Sequence, residues 1–381
     1  MNFSGAVLRE IGQPLQIETL SLKGLSHKDV VVRIKATSLC HTDLEAVEGA
    51  LGTPVPFIPG HEAAGIVESV GKEVSHLRPG DHVVISWNPY CGTCYFCQRK
   101  QRIICSQYRA NATKSFHFDG SPRIYAKEDP VHQLMYSGSF SEVVVVTEEC
   151  AVKVPKELPF EVACLIGCGV MTGVGAVLNI AELEPGATVA VIGCGAVGLS
   201  AIQGAKLANA GKILAIDRDL AKLETAKQFG ATDILLADEN TIQACMQMTR
   251  QIGFDCVVES AGNEAAFQLS VEIVRPGGKT VWLGKVPINQ KVSFRWGSLM
   301  GEKRIHRSSY GGTKPEIDFP FLADAFFSGK LLLNEYITSR IGLADVNEGL
   351  ARLKQGKEIR SVILLSSVSY THLTLPTILL V

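Results

Sequence analysis

Six residues, Gly193-Cys-Gly195-Ala-Val-Gly198, constrain the fold of this 381-residue chain more than any other stretch. They follow the unbroken apolar run 187–192 and precede a helical stretch at 197–209. A strand that is apolar on both faces belongs inside a parallel sheet. The first glycine permits the tight turn, the second lets backbone approach a pyrophosphate, and the third lets helix pack on strand. The opening turn of the helix adds free N–H groups and a positive dipole end. Asp217 closes the next strand (212–217), 19 residues after Gly198. A carboxylate there binds a ribose 2′-OH and repels a 2′-phosphate, which favours NAD over NADP, and Arg218 beside it softens that preference.

The same alternation continues. A helix is expected at 219–229, with strands at 234–236, 256–259 and 279–284. Alternating strands and helices imply a doubly wound parallel sheet. The N-terminal part reads differently. Val30–Ala36, Ala64–Gly71, His82–Ile85 and Phe140–Val146 are β-rich runs separated by turn signals such as the proline-rich 53–60, and together they suggest a barrel or sandwich. Residues 106–137 read as a long ordered loop. Helical periodicity returns at 160–181, and helices at 316–328 and 345–355 precede a last strand at 360–365.

Four cysteines, Cys91, Cys94, Cys97 and Cys105, are spaced to close a tetrahedral thiolate shell around a structural Zn²⁺. Two disulfides or an iron–sulfur cluster use the same residue types. The chain carries 11 cysteines and opens without a basic segment followed by a long apolar one, so a reducing cytoplasm is expected. A net charge of −1 offers no basic field for nucleic acid. No run of about 18 apolar residues is read, so no membrane span is expected.

Cys40, His61 and Cys168 are too far apart for spacing to link them. Their neighbours argue for more than a turn cysteine, a loop histidine and a core cysteine. His61 follows a proline-stiffened approach, Asp43 and Glu62 are carboxylates beside candidate ligands, and Cys168 sits between glycines where the two patterns meet. A Cys₂His set leaves the fourth zinc position for water or an alcohol oxygen, as a catalytic site needs. Cys150, Cys164, Cys194, Cys245 and Cys256 read as packing or loop residues. His27, His76, His82, His117, His132 and His306 have no partner that the sequence names.

Taken together, Cys-His-Thr-Asp (40–43), Gly-His-Glu-Ala-Ala-Gly (60–65), the four-cysteine lobe, Gly-Cys-Gly-Val-Met-Thr-Gly (167–173) and the 193–198 turn resemble, in order, the zinc-dependent medium-chain alcohol dehydrogenases over residues 1–365. The resemblance implies an α/β fold, with a GroES-like, mostly-β catalytic domain (1–170, zinc lobe 91–105), a Rossmann domain (171–310), and a return to the first domain (311–365). It implies two Zn²⁺ per chain, one catalytic and one structural, and NAD.

Carried over by motif, Cys40, His61 and Cys168 would hold the catalytic zinc, with Glu62 as an occasional extra ligand and Asp43 orienting the set. Thr42 would pass the alcohol proton to the nicotinamide ribose. His41 and Arg360 would bind the pyrophosphate. Thr172, Val197 and Val286 would lie along the cofactor, and Lys222 would assist Asp217. Leu51 and Trp87 would line the substrate pocket. Some relatives place a histidine where this chain has Glu45, as the outer end of a proton relay.

The implied reaction is reversible oxidation of a primary alcohol, aromatic or medium-chain, with hydride passing to NAD. A dehydrogenase of hydroxymethyl thiol adducts is the alternative enzyme, and a non-catalytic NAD-binding protein with the structural zinc alone is the alternative of another class. The partner would be a small alcohol or aldehyde, and the assembly a homodimer or a tetramer. Residues 366–381 fit neither domain's pattern, read as a translated adapter or frame error, and are given no function.

Overall fold

The computed structural model describes residues 1–111 and 116–365. The expectation that 366–381 is non-native lies outside the described residues.

The region from Thr188 to Arg307 forms a six-stranded sheet with every neighbouring pair parallel. Its order across the sheet is Asp233–Leu236, Lys212–Asp217, Thr188–Ile192, Phe254–Glu259, Val274–Trp282 and Arg304–Arg307. The chain starts at the centre, winds outward on one side, then returns to wind outward on the other. Strand order therefore reverses beside Thr188–Ile192, and the carboxyl ends diverge there into a crevice. Ala190, Ile192, Leu214, Ile216 and Val257 pack one face of this sheet with no exposed surface to spare. The helices Thr241–Met248 and Glu264–Ile273 and the edge strand Arg304–Arg307 are additional to the sequence reading.

The other residues build two antiparallel-rich sheets. The larger is anchored on Asp29–Ser38, which pairs with Glu62–Val70, Val143–Thr147 and Arg360–Leu364. The last strand thus lies beside one of the first, with Val362 opposite Ser38. The smaller sheet runs Asn2–Val7, Gln16–Leu22, Ile124–Ala126, Asp129–Gln133, Phe57–Ile58. The hairpin Ile124–Gln133 corrects the long loop expected at 106–137. Its two strands are short, Pro130 sits in one of them, and their turn puts Lys127 at φ 57°, so neither alternation nor length marked it.

A helical segment, Phe160–Ala181, joins the two parts. An 18-residue window of its 22 residues reaches a mean hydropathy of 1.9, long and apolar enough to cross a membrane by composition, contrary to the expectation that no such run exists. Protein rather than lipid covers it, since 72% of the window is buried inside the fold. Gly173 and Gly175 let it lie close to its neighbours. A Cβ on Gly173 would sit 2.3 Å from the Val197 carbonyl, and one on Gly175 would sit 2.3 Å from that of Gly311.

One buried ion cluster ties the loop after the cysteine lobe to the main β-sheet. Arg123 Nε donates to Asp29 Oδ2 at 2.6 Å, and its Nη2 donates to Asp119 Oδ2 at 2.6 Å. His117, for which the sequence named no partner, lies 3.5 Å from Asp29. Burial raises the Asp29 carboxyl, but the bonds from Arg123 and Ser26 outweigh it and hold it below its usual range. A depressed carboxylate stabilises the fold above the unfolded pKa, and that contribution is lost as pH falls through the folded value. Asp29→Asn is therefore expected to cost about 3 kcal/mol near pH 7, because it takes from the buried Arg123 guanidinium the more buried of its two carboxylate partners. Thermal unfolding should show the gap to the parent narrowing as pH falls from the ordinary carboxylate range to the lower folded value, and a gap independent of pH would refute this account.

Candidate active site

Four segments meet at the deepest point between the β-rich part and the parallel sheet. Cys40 precedes the short helix His41–Val47, His61 precedes the strand Glu62–Val70, and Cys168 comes from the junction helix. The ligand atoms of Cys40, His61, Glu62 and Cys168 all lie within 4.8 Å of one another. Arg360 reaches the same point from the last strand.

Asp43 organises the cluster. Fully buried, it accepts the backbone N–H of Cys40 at 2.9 Å and that of Gly60 at 3.0 Å, and meets His61 Nδ1 at 2.9 Å. Holding Nδ1 in this way fixes the ring and turns Nε2 inward. Among the described residues Nε2 has no hydrogen-bond partner despite its burial. An orphaned imidazole nitrogen facing two thiols is an expensive arrangement that a metal ion satisfies. The hydrogen bond from Cys168, with Arg360 and His61 nearby, holds the Cys40 thiol well below its ordinary range. That favours thiolate, the form that ligates zinc. The donor set fits zinc: two soft sulfurs, one imidazole and a carboxylate within reach.

Glu62 lies behind this centre. It accepts the Gly169 N–H at 3.0 Å and pairs with Arg360 Nη2 at 3.1 Å, and it also accepts the Ser38 hydroxyl. Burial raises its carboxyl to about 7, although Arg360 opposes the rise. The guanidinium expected at the pyrophosphate is thus already committed to Glu62, and it sits 4.0 Å from Cys40 Sγ.

The second cysteine cluster is separate. All eleven cysteines are free thiols, so the lobe holds no disulfide. The sulfurs of Cys91, Cys94, Cys97 and Cys105 lie within 4.8 Å of one another. Backbone N–H groups of Cys97 and Ser106 bring the Cys94 thiol down to about 5. Closed on all four sides by sulfur, this site suits a structural zinc.

Above the Cys40–His61–Cys168 point opens a cleft of about 1140 Å³, which runs to the carboxyl ends of the parallel strands. His41, Thr42, Glu45, Trp87 and Thr172 line its near end. Gly193, Gly195, Val197, Gly198, Asp217, Arg218 and Lys222 line its far end. Gly193 turns at φ 90°, and Asp217 Oδ2 accepts the Cys194 N–H at 2.7 Å, which pins the glycine turn to the neighbouring strand. Val286 follows the lining residue Lys285 without lining the cleft itself, and Leu51 lies outside the lining. Leu51 is 40% exposed, because the turn after the short helix, with Gly49 and Gly52 at positive φ, carries it outward.

Lys285, Met135, Tyr310 and Arg307 line the cleft without any sequence signal. Tyr310 stacks on Trp87 with ring centroids 4.3 Å apart and gives its hydroxyl proton to the Gly167 carbonyl. Lys285 follows Gly284 at the end of a sheet strand, a position where ligand-facing residues of this architecture are sought.

The family described as "Alcohol dehydrogenase GroES-like domain" matches residues 26–156, and "Zinc-binding dehydrogenase" matches residues 196–326. The chain is 35% identical over 362 residues to alcohol dehydrogenase class-3 of Myxine glutinosa, covering 94% of this chain and 96% of that one. It is 36% identical over 368 residues to the S-(hydroxymethyl)glutathione dehydrogenase of Synechocystis, covering 95% and 100%. Among solved structures, benzyl alcohol dehydrogenase from Acinetobacter calcoaceticus superposes with a TM-score of 0.91 at 28% identity, over 96% of this chain and 100% of that one. The chain belongs to the zinc-dependent medium-chain alcohol dehydrogenase family. It is an enzyme with a GroES-like part and a Rossmann-type parallel sheet, and zinc and a nicotinamide dinucleotide are its cofactors.

Proposed function

We propose that the cleft oxidises the primary hydroxyl of a hydroxymethyl thiol adduct, reversibly, with NAD as acceptor. The observation that carries hydroxyl oxidation is the convergence of Cys40, His61 and Cys168 on one buried point with His61 Nε2 unpartnered. A protein that only bound nucleotide would have no use for that point. The adduct is supported by relatives named S-(hydroxymethyl)glutathione dehydrogenase, in Synechocystis and in Saccharomyces cerevisiae, that align along almost the whole chain. Those names favour the adduct over the aromatic or medium-chain alcohol that the residues first suggested. The second reading keeps one observation of its own, the stacked Trp87–Tyr310 wall, which suits a flat aromatic alcohol.

Zinc bound by Cys40, His61 and Cys168 supplies a Lewis acid for the substrate hydroxyl, and NAD supplies the hydride acceptor. The chain's own residues do the rest. Asp43 fixes the imidazole, and Thr42 at the cleft floor takes the hydroxyl proton onward. Asp217 holds the adenosine ribose, favouring NAD over NADP, with Lys222 beside it, and His41 faces the pyrophosphate, while Arg360 stays paired with Glu62 behind the metal point. Trp87 and Tyr310 keep water from the reacting end. Cys91, Cys94, Cys97 and Cys105 hold the second zinc as a structural brace. The protein is read as a cytoplasmic homodimer.

The test is zinc content followed by a substrate panel. Purified protein should carry two zinc ions per chain and should reduce NAD faster with formaldehyde plus glutathione than with benzyl alcohol or ethanol. A higher kcat/KM for benzyl alcohol would replace the adduct by the aromatic reading. One zinc per fully loaded chain would remove the catalytic site altogether.

A further inference from the structure

The sequence left the route of the proton beyond Thr42 open, since Glu45 stands where some relatives carry a histidine. In the structure a third residue closes the gap. Thr42 and Glu45 lie three residues apart on the helix His41–Val47, a spacing that puts them on one face. Opposite them stands Lys285, from the loop after the sheet strand Val274–Trp282. Its Nζ lies 3.4 Å from Thr42 Oγ1 and forms an ion pair with the Glu45 carboxylate. Gly284 makes this reach possible: a Cβ there would sit 2.4 Å from the Gly262 nitrogen, so only glycine lets the loop pack this close before it turns toward the cleft. Thr42 faces the cleft, while the Glu45 and Lys285 side chains are 30% and 43% exposed and so reach water at its mouth. His41, Arg307 and Arg360 are other titratable or charged side chains that line the cleft.

We propose that Lys285 and Glu45 carry the substrate's proton from Thr42 to solvent; this rests on Thr42 being the group that meets the substrate hydroxyl. The steps balance. The Lys285 ammonium gives a proton to the Glu45 carboxylate, leaving a neutral amine and a carboxylic acid. Thr42 gives its hydroxyl proton to that amine as its oxygen takes the proton of the substrate. Glu45 then releases its proton to water. One proton has passed from substrate to solvent, and Thr42, Lys285 and Glu45 are restored.

A simple ion-pair latch across the cleft would use the same two residues, so the test separates the two roles. Lys285→Arg keeps the charge and the pair, but a guanidinium does not give up its proton in proteins. Lys285→Ala removes both. Each zinc-loaded variant is mixed with NAD and trifluoroethanol, and proton release is followed with an indicator dye, so that no turnover is needed. Both variants should release the proton about ten- to a hundredfold more slowly than the parent near pH 7. The deficit should shrink at higher pH, where hydroxide takes over, and added ethylamine should restore the rate in Lys285→Ala. NAD affinity, measured by fluorescence quenching, should change less than about twofold. Parent-like release in Lys285→Arg would make the pair a latch and overturn the relay, as would parent-like release in Lys285→Ala. A parent protein that binds NAD yet releases no proton would instead overturn the reading of the site itself.

Discussion

Cys168→Ser is expected to abolish alcohol oxidation while leaving the fold in place, and Cys91→Ser is expected to do damage of the opposite kind. Both remove one thiolate from a cluster whose ligand atoms lie within 4.8 Å of one another, so chemistry alone does not separate them. Their surroundings do. The Cys40–His61–Cys168 point is walled by structure that stands without metal: Asp43 is held by two backbone N–H groups, and Glu62 is tied to Arg360, Ser38 and Gly169. Loss of the metal there removes charge stabilisation worth several kcal/mol, about a thousandfold in kcat or more.

The lobe around Cys91 has no comparable support. Its small cluster consists of the four cysteines, three tyrosines and Phe118, and two of its cysteines are only partly buried. Much of what holds it is metal coordination, so that binding energy is folding energy. Losing one ligand should cost about 4 kcal/mol or more. Zinc analysis, thermal unfolding and NAD-linked activity on both variants settle the matter. Cys168→Ser should hold one zinc, unfold near the parent's temperature and turn over nothing measurable. Cys91→Ser should also hold one zinc but unfold well below the parent. Equal losses of stability would refute the division.

The contrast explains what could be read from the chain and what could not. The lobe and the glycine turn are local: their parts lie within a few residues, so spacing carries the geometry. Asp217 was legible for a related reason, since one strand–helix–strand unit fixes its distance from Gly198. Cys40, His61 and Cys168 come together only because Asp29–Ser38 pairs with Glu62–Val70 and because Gly167 packs on the Ile85 carbonyl. Residue spacing does not encode either contact, and the set became readable only through the order of several motifs at once. Lys285, Tyr310 and Arg307 belong to no motif. They reach the cleft because the sheet's strands end there. Leu51 shows the converse: a position carried over by resemblance, which the turn with Gly49 and Gly52 carries toward the surface. The hairpin Ile124–Gln133 escaped because its strands are completed by pairing with Gln16–Leu22 and Phe57–Ile58, more than 60 residues away in sequence.

Within the glycine turn, alanine at Gly195 and at Gly198 should have effects that differ in kind. A Cβ on Gly198 would lie 1.8 Å from the Gly193 carbonyl oxygen and 2.8 Å from Ser260 Oγ. Backbone cannot yield that far without lifting the helix Ala196–Leu207 off the strand Thr188–Ile192, and overpacking of this severity costs about 3 kcal/mol or more. A Cβ on Gly195 would meet no protein atom within 4 Å, and Gly195 has an ordinary φ of −75°. The fold therefore does not require glycine there, yet Gly195 caps the helix and lines the cleft. The space it leaves is reserved for a ligand, and an N-terminal helix end reserves it for phosphate oxygens. Gly195→Ala should keep the parent's unfolding temperature and lose NAD affinity by about tenfold or more, because one misplaced methyl group separates the pyrophosphate from the N–H groups that hold it. Gly198→Ala should lose stability first and affinity only as a consequence. Unfolding curves with and without NAD distinguish them: added NAD should raise the midpoint of the parent strongly and that of Gly195→Ala hardly at all, since stabilisation by a ligand follows its affinity. An undiminished rise in Gly195→Ala would mean that the dinucleotide does not approach this turn.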